Sequence, residues 1–211
     1  MEVGSLNLPI ILASTSPRRI YLMSQVHLPV EVQTPRSDEK AKRGEKPSSL
    51  VTRLAKEKAE SVREIAVQRY ESCLILAADT IVVAPTGGKI LGKPKNADDA
   101  AKMLKMLAGK THLVLTGYCA LLANRKRGDR KVVRAIQSKV KMRPMSKSLI
   151  TKYISSGEPM DKAGAYAAQG LGMALIERIE GSYTNVVGLP MAQVLMDLEK
   201  TFKISLFSWT K

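Results

Sequence analysis

Residues 73–84 read CLILAADTIVVA, a long apolar run typical of a buried strand, with one carboxylate, Asp79, set in its middle. An ionised carboxylate that is buried alone is strongly unfavourable unless a cation or hydrogen-bond donors meet it. We therefore expect a polar site at Asp79. The alternative is an aspartate that caps the turn after the strand, and this stretch alone favours the two interpretations about equally.

The composition is that of an ordinary globular protein. The 211 residues are 45% hydrophobic and 25% charged, which suffices for one sizeable core or two small lobes, and we expect one domain over residues 1–211. The longest apolar runs fall short of the roughly 18 residues typical of a membrane span, and no secretory signal precedes them. The sequence therefore predicts a cytoplasmic protein with no membrane partner.

The net charge of +15, from 34 Lys and Arg against 19 Asp and Glu, favours anionic partners. The aromatic residues are few, with six Tyr, two Phe and one Trp, and none is interleaved with basic residues as a base-stacking surface requires. We therefore expect no dedicated nucleic-acid binding.

Two cysteines and two histidines limit the chemistry. Cys73 and Cys119 lie in apolar runs without metal-ligand spacing, so we expect small buried thiols. His27 and His112 are too few for a histidine-rich metal site or a serine–histidine triad. Any metal would have to be bound by oxygen ligands.

Residues 9–19 predict a strand that leads directly into a helix. Ser16 is placed as N-cap, before a proline at the first helical position. Free backbone N–H groups meet the Ser14 hydroxyl and the guanidinium groups of Arg18 and Arg19 there, which suits a phosphate. A capped helix with two solvated arginines is an equally weighted alternative.

Further strands are predicted at residues 30–33, 111–123, 131–143 and 172–180, and further helices at residues 48–70, 96–109, 146–154 and after 190. Residues 34–47 predict a charged loop. Residues 157–170 predict a shaped loop, because they contain too many small and polar residues for a core element.

Two predicted helix faces concern the site. On the first helix, the spacing predicts a buried face of Ile20, Met23 and Val26. On the second, Lys58 shares a row with two leucines at a spacing of four residues. A lysine in this position commonly extends to the rim of the core, and the alternative is contact with an anion in a cleft.

Six sequence motifs follow one another along the chain. They are LASTSPRR (12–19), RLAKEKA (53–59), AADTIV (77–82), LGKPKNADDAAKML (91–104), GEPMDKAGAYAAQG (157–170) and GSYTNVVGLP (181–190). In the order of these motifs, from Ile10 to about Phe202, the chain resembles the Maf proteins, a family of nucleoside triphosphate pyrophosphatases first described as septum-formation inhibitors. The resemblance implies an α/β fold with a mixed twisted sheet, flanking helices and two lobes around a cleft, similar to inosine triphosphate pyrophosphatases.

The resemblance also implies a reaction. Such enzymes cleave a nucleoside triphosphate between its α and β phosphates with a divalent metal. Arg18, Thr80 and Gln169 occupy the positions that separate the branches of the family, and they look like the dTTP/UTP branch. Modified pyrimidine nucleotides, a link to cell-division arrest and a homodimer are further implications. The alternatives are a pyrophosphatase for purine triphosphates or 7-methyl-GTP, and a non-catalytic regulator of septum formation.

Site residues follow from the resemblance and from position in the chain. Asp79 is expected to be catalytic, either accepting a proton from the attacking water or holding the water-bearing metal, and Glu39 to be a second metal ligand. Asp38 replaces Glu39 if the short match in this loop is displaced by one residue. Mg²⁺ or Mn²⁺ is expected, because the ligands are oxygens and the substrate is a phosphate.

The remaining candidates would bind the substrate. The triphosphate is expected to contact Ser14, Arg18, Lys58 and Lys93, with Lys162 as a further phosphate contact. Thr80 and Gln169 are expected to hydrogen-bond the edge of the base, where an amide can match uracil or thymine.

Overall fold

The computed structural model describes residues 8–205 and 207–209, so the ends of the expected domain at residues 1–211 lie outside the described residues. The helices are α1 (Pro17–Gln25), α2 (Pro47–Arg69), α3 (Ala97–Leu107), α4 (Lys147–Ser155), α5 (Tyr183–Val187) and α6 (Met191–Phe202). The strands are β1 (Ile10–Leu12), β2 (Glu31–Val32), β3 (Ser72–Val83), β4 (Ile90–Leu91), β5 (Thr111–Asn124), β6 (Arg130–Met142) and β7 (Ile176–Glu180). Within this described part, no helix is both long and apolar enough to span a membrane.

The seven strands are hydrogen-bonded in the order β2-β1-β3-β5-β6-β7, and β4 pairs with β3. Strand β1 is parallel to both of its neighbours, with Leu12 opposite Leu76 of β3. Strand β4 is antiparallel to β3, and β7 is antiparallel to β6. The sheet is therefore mixed, which confirms the expected α/β class.

The chain divides into two compact units. Unit 1 comprises residues 1–79, 117–135 and 188–211, and unit 2 comprises residues 80–116 and 136–187. Strands β3, β5 and β6 each continue from one unit into the other. Each unit has its own apolar core. The expectation of one domain over residues 1–211 stays a prediction.

In unit 1, helix α2 packs closely on the strands through small side chains. The buried cluster combines alanines of α2 with residues of β3 and β5, namely Ala55, Ala59, Ala66, Cys73, Ile75, Ala77, Cys119 and Leu121. Gly117 of β5 permits the approach, because a Cβ at this position would lie 2.2 Å from the carbonyl oxygen of Val51. Both cysteines are free and buried, as expected, and burial raises the pKa of each thiol to about 11.

The buried face of α1 differs from the prediction. Arg19, Leu22 and Met23 are buried, whereas Ile20 and Val26 are only half-buried. The prediction is therefore confirmed for Met23 and wrong for Ile20 and Val26, because the buried side chains are Arg19 and the residues three and four positions after it. The alternative of two solvated arginines is also wrong, since Arg19 is 9% exposed.

Helix α6 contacts the rest of unit 1 through a buried carboxylate as well as through apolar side chains. Asp197 is 5% exposed and accepts a hydrogen bond from the Tyr118 hydroxyl at 2.6 Å. Arg134 donates to the same carboxylate from Nε at 2.7 Å and from Nη2 at 2.8 Å. The carboxylate of α6 thus contacts β5 and β6.

Unit 2 has a core of residues from α3, α4 and the adjoining strands, including Leu104, Leu107, Val114, Val140, Met142 and Ile150. The segment at residues 157–170 is irregular, as predicted, but its expected exclusion from the core is wrong. Residues 165–168 are buried, and Ala165 and Tyr166 belong to this core. The small residues let the backbone itself enter the core, since a Cβ at Gly164 would lie 3.0 Å from Val82 Cγ1.

The strand predicted at residues 172–180 is shorter than expected. Strand β7 covers only Ile176–Glu180, and the residues before it form the 3-10 turn Gly170–Leu175. A Cβ at Gly172 would lie 2.3 Å from the carbonyl oxygen of Ala167. The chain therefore folds back on itself here instead of extending.

Candidate active site

Asp79 lies in β3 at the boundary of unit 1 and is 8% exposed. Its Oδ1 accepts a hydrogen bond from Lys58 Nζ at 2.7 Å. The same ammonium group lies 2.6 Å from Glu39 Oε1. One cation therefore joins two carboxylates, and we call these three residues the Asp79 cluster. This arrangement favours a polar site at Asp79 over a simple turn cap.

The periodicities of β3 and α2 bring Asp79 and Lys58 together. Alternate residues of a strand share one face, and Ala77, two residues before Asp79, packs in the same cluster as Ala55 of α2. Lys58 lies three residues after Ala55 on the buried face of the helix. The Lys58 ammonium is bound by two carboxylates, so it contacts anionic groups rather than extending to the rim. This attraction partly compensates for the unfavourable free energy of removing the ammonium from water.

Arg53 fixes the loop that carries Glu39. Its Nη2 donates to the Lys40 carbonyl oxygen at 3.0 Å, and its guanidinium also donates to both Glu45 carboxylate oxygens, at 2.7 and 2.8 Å. The hydrogen bonds from Arg53 are the main reason why the pKa of Glu45 is lowered to about 2. Asp38 accepts a local hydrogen bond from the Lys40 N–H at 3.2 Å. Of the two candidate metal ligands Asp38 and Glu39, it is Glu39 whose side chain contacts Lys58.

Arg19, which was predicted beside Arg18 at the phosphate-binding start of α1 but was not assigned a contact with the triphosphate, belongs to this part of unit 1. Its Nε donates to the Gly188 carbonyl oxygen at 2.8 Å and its Nη1 to Ser14 Oγ at 3.3 Å. Burial lowers the pKa of Arg19, whereas the negative charge of Asp79 acts in the opposite direction. A signal for Arg19 was available, because it precedes Leu22 and Met23 by three and four residues on one helix face.

The start of α1 brings the predicted phosphate-binding groups together. Ser14 is buried, and its hydroxyl accepts hydrogen bonds from the Ser16 N–H at 3.2 Å and from Arg19. Arg18 is half-buried, and its positive charge contributes to the lowered pKa of Arg19. Ser16 holds the N-cap position without a capping side-chain hydrogen bond. Two guanidinium groups and one hydroxyl thus gather at this helix end.

The remaining predicted residues lie in unit 2. Lys93 is exposed, just after β4, and the Gly164 N–H donates to the carbonyl oxygen of Gly92 at 3.0 Å. This bond joins the Lys93 segment to the loop of Lys162. Lys162 Nζ donates to the Glu158 carbonyl oxygen at 2.7 Å and contacts the neighbouring Asp161 carboxylate, so two of its three donors are used inside the loop.

Thr80, the residue after Asp79, is hydrogen-bonded to Thr116 of β5. Its Oγ1 lies 2.9 Å from Thr116 Oγ1, and the Thr116 hydroxyl donates to the Asn185 carbonyl oxygen at 2.9 Å. Because a carbonyl only accepts, the Thr116 proton is directed to Asn185, and Thr80 donates to Thr116. Gln169 is half-buried, and its side chain makes no capping hydrogen bond to the turn that follows it.

Two solved structures align with the chain at low similarity. The Ham1 protein of Staphylococcus aureus is 13% identical, with 91% of this chain and 100% of that chain covered and a TM-score of 0.40. A nucleoside-triphosphatase / dITP/XTP pyrophosphatase from Mycobacterium abscessus is 12% identical, with 90% and 93% covered and a TM-score of 0.35. These scores are too low to carry a conclusion about fold or activity.

Curated proteins align with the chain at much higher similarity. A dTTP/UTP pyrophosphatase from Symbiobacterium thermophilum is 44% identical over 189 residues, which are 90% of this chain and 92% of that protein. A protein of the same name from Geobacter metallireducens is 43% identical over 192 residues, 91% of this chain and 95% of that protein. The family described as Maf-like protein matches residues 9–201. The expectation from the order of the motifs is thereby confirmed: the chain belongs to the Maf family.

Proposed function

We propose that this chain hydrolyses dTTP and UTP to the monophosphate and pyrophosphate. The observation that carries the proposal is the Asp79 cluster, in a chain whose relatives at 43–44% identity are named dTTP/UTP pyrophosphatases. A pure binding module has no need of a carboxylate buried beside cations, whereas a reaction at a phosphate uses both.

In the proposed reaction, a water oxygen attacks the α phosphorus of the substrate. The bond between this phosphorus and the oxygen that bridges to the β phosphate breaks, and its electron pair leaves with pyrophosphate. Asp79 accepts the proton of the water. The positive charges of Lys58 and Arg19 stabilise the negative charge that develops on the phosphate oxygens.

Mg²⁺ or Mn²⁺ is part of the proposal, and Glu39 and Asp79 would hold it. Both carboxylates already approach a single cation, the Lys58 ammonium, so their oxygens can converge on one ion. They are a pair, since no group of three or more His, Cys, Asp or Glu side chains suited to a metal occurs in the described residues. Two carboxylates suit Mg²⁺, which keeps several waters and binds substrate phosphates. When bound, such a cation neutralises phosphate charge and lowers the pKa of a bound water.

The remaining predicted residues are proposed to bind the substrate. Ser14, Arg18 and Lys93 would bind phosphate oxygens, and the third donor of Lys162 would do the same. Thr80 and Gln169 would contact the base, because the amide of Gln169 offers a donor and an acceptor to the edge of uracil or thymine.

The test is pyrophosphate release from dTTP, UTP, CTP, GTP, 7-methyl-GTP and ITP, with and without Mg²⁺ or Mn²⁺. We expect metal-dependent release that is fastest with dTTP and UTP. Faster release from GTP, 7-methyl-GTP or ITP would replace the proposal by a purine pyrophosphatase. No release from any triphosphate would favour a non-catalytic regulator of septum formation.

Two further features complete the proposal. A cytoplasmic location is tested by cell fractionation, and a homodimer by light scattering of the purified protein. Modified pyrimidine triphosphates and a link to cell-division arrest stay predictions from the family resemblance. Adding such nucleotides to the same panel extends the test to the first of them.

A further inference from the structure

The segment around Gln169 has little regular backbone structure of its own. The φ angle is positive at Gly164 (72°), Ala165 (59°) and Gly170 (65°), and the adjoining elements are short 3-10 turns. Such turns have few repeating backbone hydrogen bonds. Other contacts therefore have to fix the position of Gln169.

Tyr153 of α4 and Glu158 supply these contacts on both sides of Gln169. The Ala167 N–H donates to the Tyr153 hydroxyl at 3.2 Å, and this hydroxyl donates to Glu158 Oε1 at 2.8 Å. The Leu171 N–H donates to Glu158 Oε2 at 2.9 Å, and the Gly172 N–H donates to Oε1 at 2.8 Å. One tyrosine–carboxylate pair thus binds the chain two residues before Gln169 and again two and three residues after it.

Burial of Tyr153 and hydrogen bonds to Glu158 fix the positions of these two side chains. Tyr153 is 5% exposed, so its hydroxyl is held by the core of unit 2. Burial opposes ionisation of Glu158, but the hydrogen bonds from Tyr153, Leu171 and Gly172 lower its pKa below the ordinary value. Hydrogen bonds to an ionised carboxylate are stronger than those to a neutral acceptor.

Two neighbouring contacts reinforce the same segment. The Tyr183 hydroxyl donates to the Ala168 carbonyl oxygen at 3.1 Å. Gly170 leaves room for the carboxylate, because a Cβ there would lie 2.4 Å from Glu158 Oε2. The side chain of Gln169 is not used to cap the turn. Its amide is therefore carried by a backbone that is fixed on both sides.

We infer that Tyr153 and Glu158 are positioning residues for base selectivity, which hold Gln169 in the orientation that reads uracil or thymine. This inference rests on the proposed function and assigns part of its specificity to two residues outside the binding edge. Neither residue needs to touch the substrate, since both act through the backbone of residues 167–172.

The experiment is a double-mutant cycle with Glu158→Gln and Gln169→Ala. Glu158→Gln replaces one acceptor oxygen by a donor that cannot bind a backbone N–H. We expect its kcat/KM for dTTP relative to CTP to fall roughly tenfold, the size expected for a lost hydrogen bond to a charged group. The fall should come mainly from a higher KM. Combined with Gln169→Ala, the change should cause no further loss of selectivity, because the two residues act as one unit.

Tyr153→Phe is the second variant, and it keeps the ring and the net charge. It should lower selectivity in the same direction, and it carries the test if Glu158→Gln proves too unstable to fold, as judged by thermal unfolding. Glu177→Gln is the matched control, since it makes the same charge change at an exposed position of β7. It should leave selectivity unchanged.

The outcomes separate the inference from the proposed function. Without pyrophosphate release from any triphosphate by the wild type, both fall together. A wild type that prefers dTTP, with the same preference in Glu158→Gln and Tyr153→Phe, would overturn the inference alone. Losses of selectivity that multiply in the double variant would also overturn it, because they would show that Glu158 acts independently of Gln169.

Discussion

The Asp79 cluster of unit 1 and the Gln169 segment of unit 2, which is the backbone of residues 167–172, are held in place by different means. Asp79 and Lys58 lie on a regular strand and a regular helix, and close packing of small residues sets their distance. Gln169 lies on irregular backbone, which side-chain hydrogen bonds keep in shape. The charged groups of the Asp79 cluster are thus positioned by packing, whereas the backbone that carries Gln169 is positioned by side-chain hydrogen bonds.

The largest effect should come from Asp79→Asn, which removes the proposed proton acceptor at nearly constant shape. We expect kcat to fall by roughly 10²–10⁴-fold, the usual contribution of a general base. Any residual activity should keep the preference for dTTP and UTP. Steady-state kinetics of pyrophosphate release measure both, with Asp98→Asn at the start of α3 as the control. Nearly full activity in Asp79→Asn would remove this residue from the mechanism.

Lys58→Met should have the next largest effect, because it deletes the cation between two carboxylates. Removal of one partner from a buried ion pair destabilises a protein by about 3 kcal/mol or more. We also expect kcat/KM to fall about 100-fold through lost charge stabilisation. Urea unfolding and kinetics are the measurements, and Lys56→Met, two residues earlier on the exposed side of α2, is the control. Unchanged stability would show that the pair is not a structural element of unit 1.

Gly117→Ala tests whether packing places the cluster. The new Cβ would lie 2.2 Å from the Val51 carbonyl oxygen and 2.7 Å from the Thr52 nitrogen, so α2 has to shift. We expect a destabilisation of about 1–3 kcal/mol and a moderate loss of kcat, because Lys58 moves with its helix. Gly128→Ala is the matched control, since a Cβ there meets nothing within 4 Å. Equal unfolding midpoints for the two variants would contradict the packing argument.

The smallest effect concerns the loop that carries Glu39. The pKa of Glu45 is lowered from 4.5 to about 2, first by its hydrogen bonds from Arg53. Because the folded-state pKa is lowered, this carboxylate stabilises the fold above the unfolded value and loses its contribution as the pH falls through the folded value. The stability difference between wild type and Glu45→Gln should therefore be constant near neutral pH and shrink from about pH 4.5 to about pH 2. Chemical unfolding at several pH values measures it, and a difference independent of pH would contradict the ion pair.

In Glu64→Gln, the control for this series, an exposed carboxylate of helix α2 is changed. Its stability relative to wild type should vary less with pH than that of Glu45→Gln. If both variants changed alike, the pH dependence would reflect net charge and not the Arg53 contact.

The regular part of the site was predictable because its signals are local. An apolar strand with one carboxylate predicted that a cation would meet Asp79, and the row of α2 placed Lys58 on a buried face. The order of the motifs then gave the family and the mixed α/β class. Helix periodicity also placed Arg19 on the same face as the buried Met23, but the prediction chose Ile20 and Val26 for that face instead.

The Gln169 segment was less predictable because its geometry depends on contacts without a sequence period. Small residues at 157–170 resemble an exposed loop, yet the same residues allow the backbone to be buried against Val82. The role of Glu158 depends on acceptors and donors that approach from residues 171 and 172. The Arg19 contact with Gly188 joins residues 169 positions apart, which no local pattern reveals.

That contact between Arg19 and Gly188 has a consequence for synthesis of the chain on the ribosome. Residues 188–202 belong to unit 1, and they supply the carbonyl for Arg19 and the carboxylate for Tyr118. A nascent polypeptide that ends at residue 187 already contains all of unit 2, but Arg19 of α1 and Tyr118 of β5 still lack these partners. Domains generally fold from the N-terminus during translation. Here the N-terminal segment can gain these contacts only after residues 188–202 have left the exit tunnel.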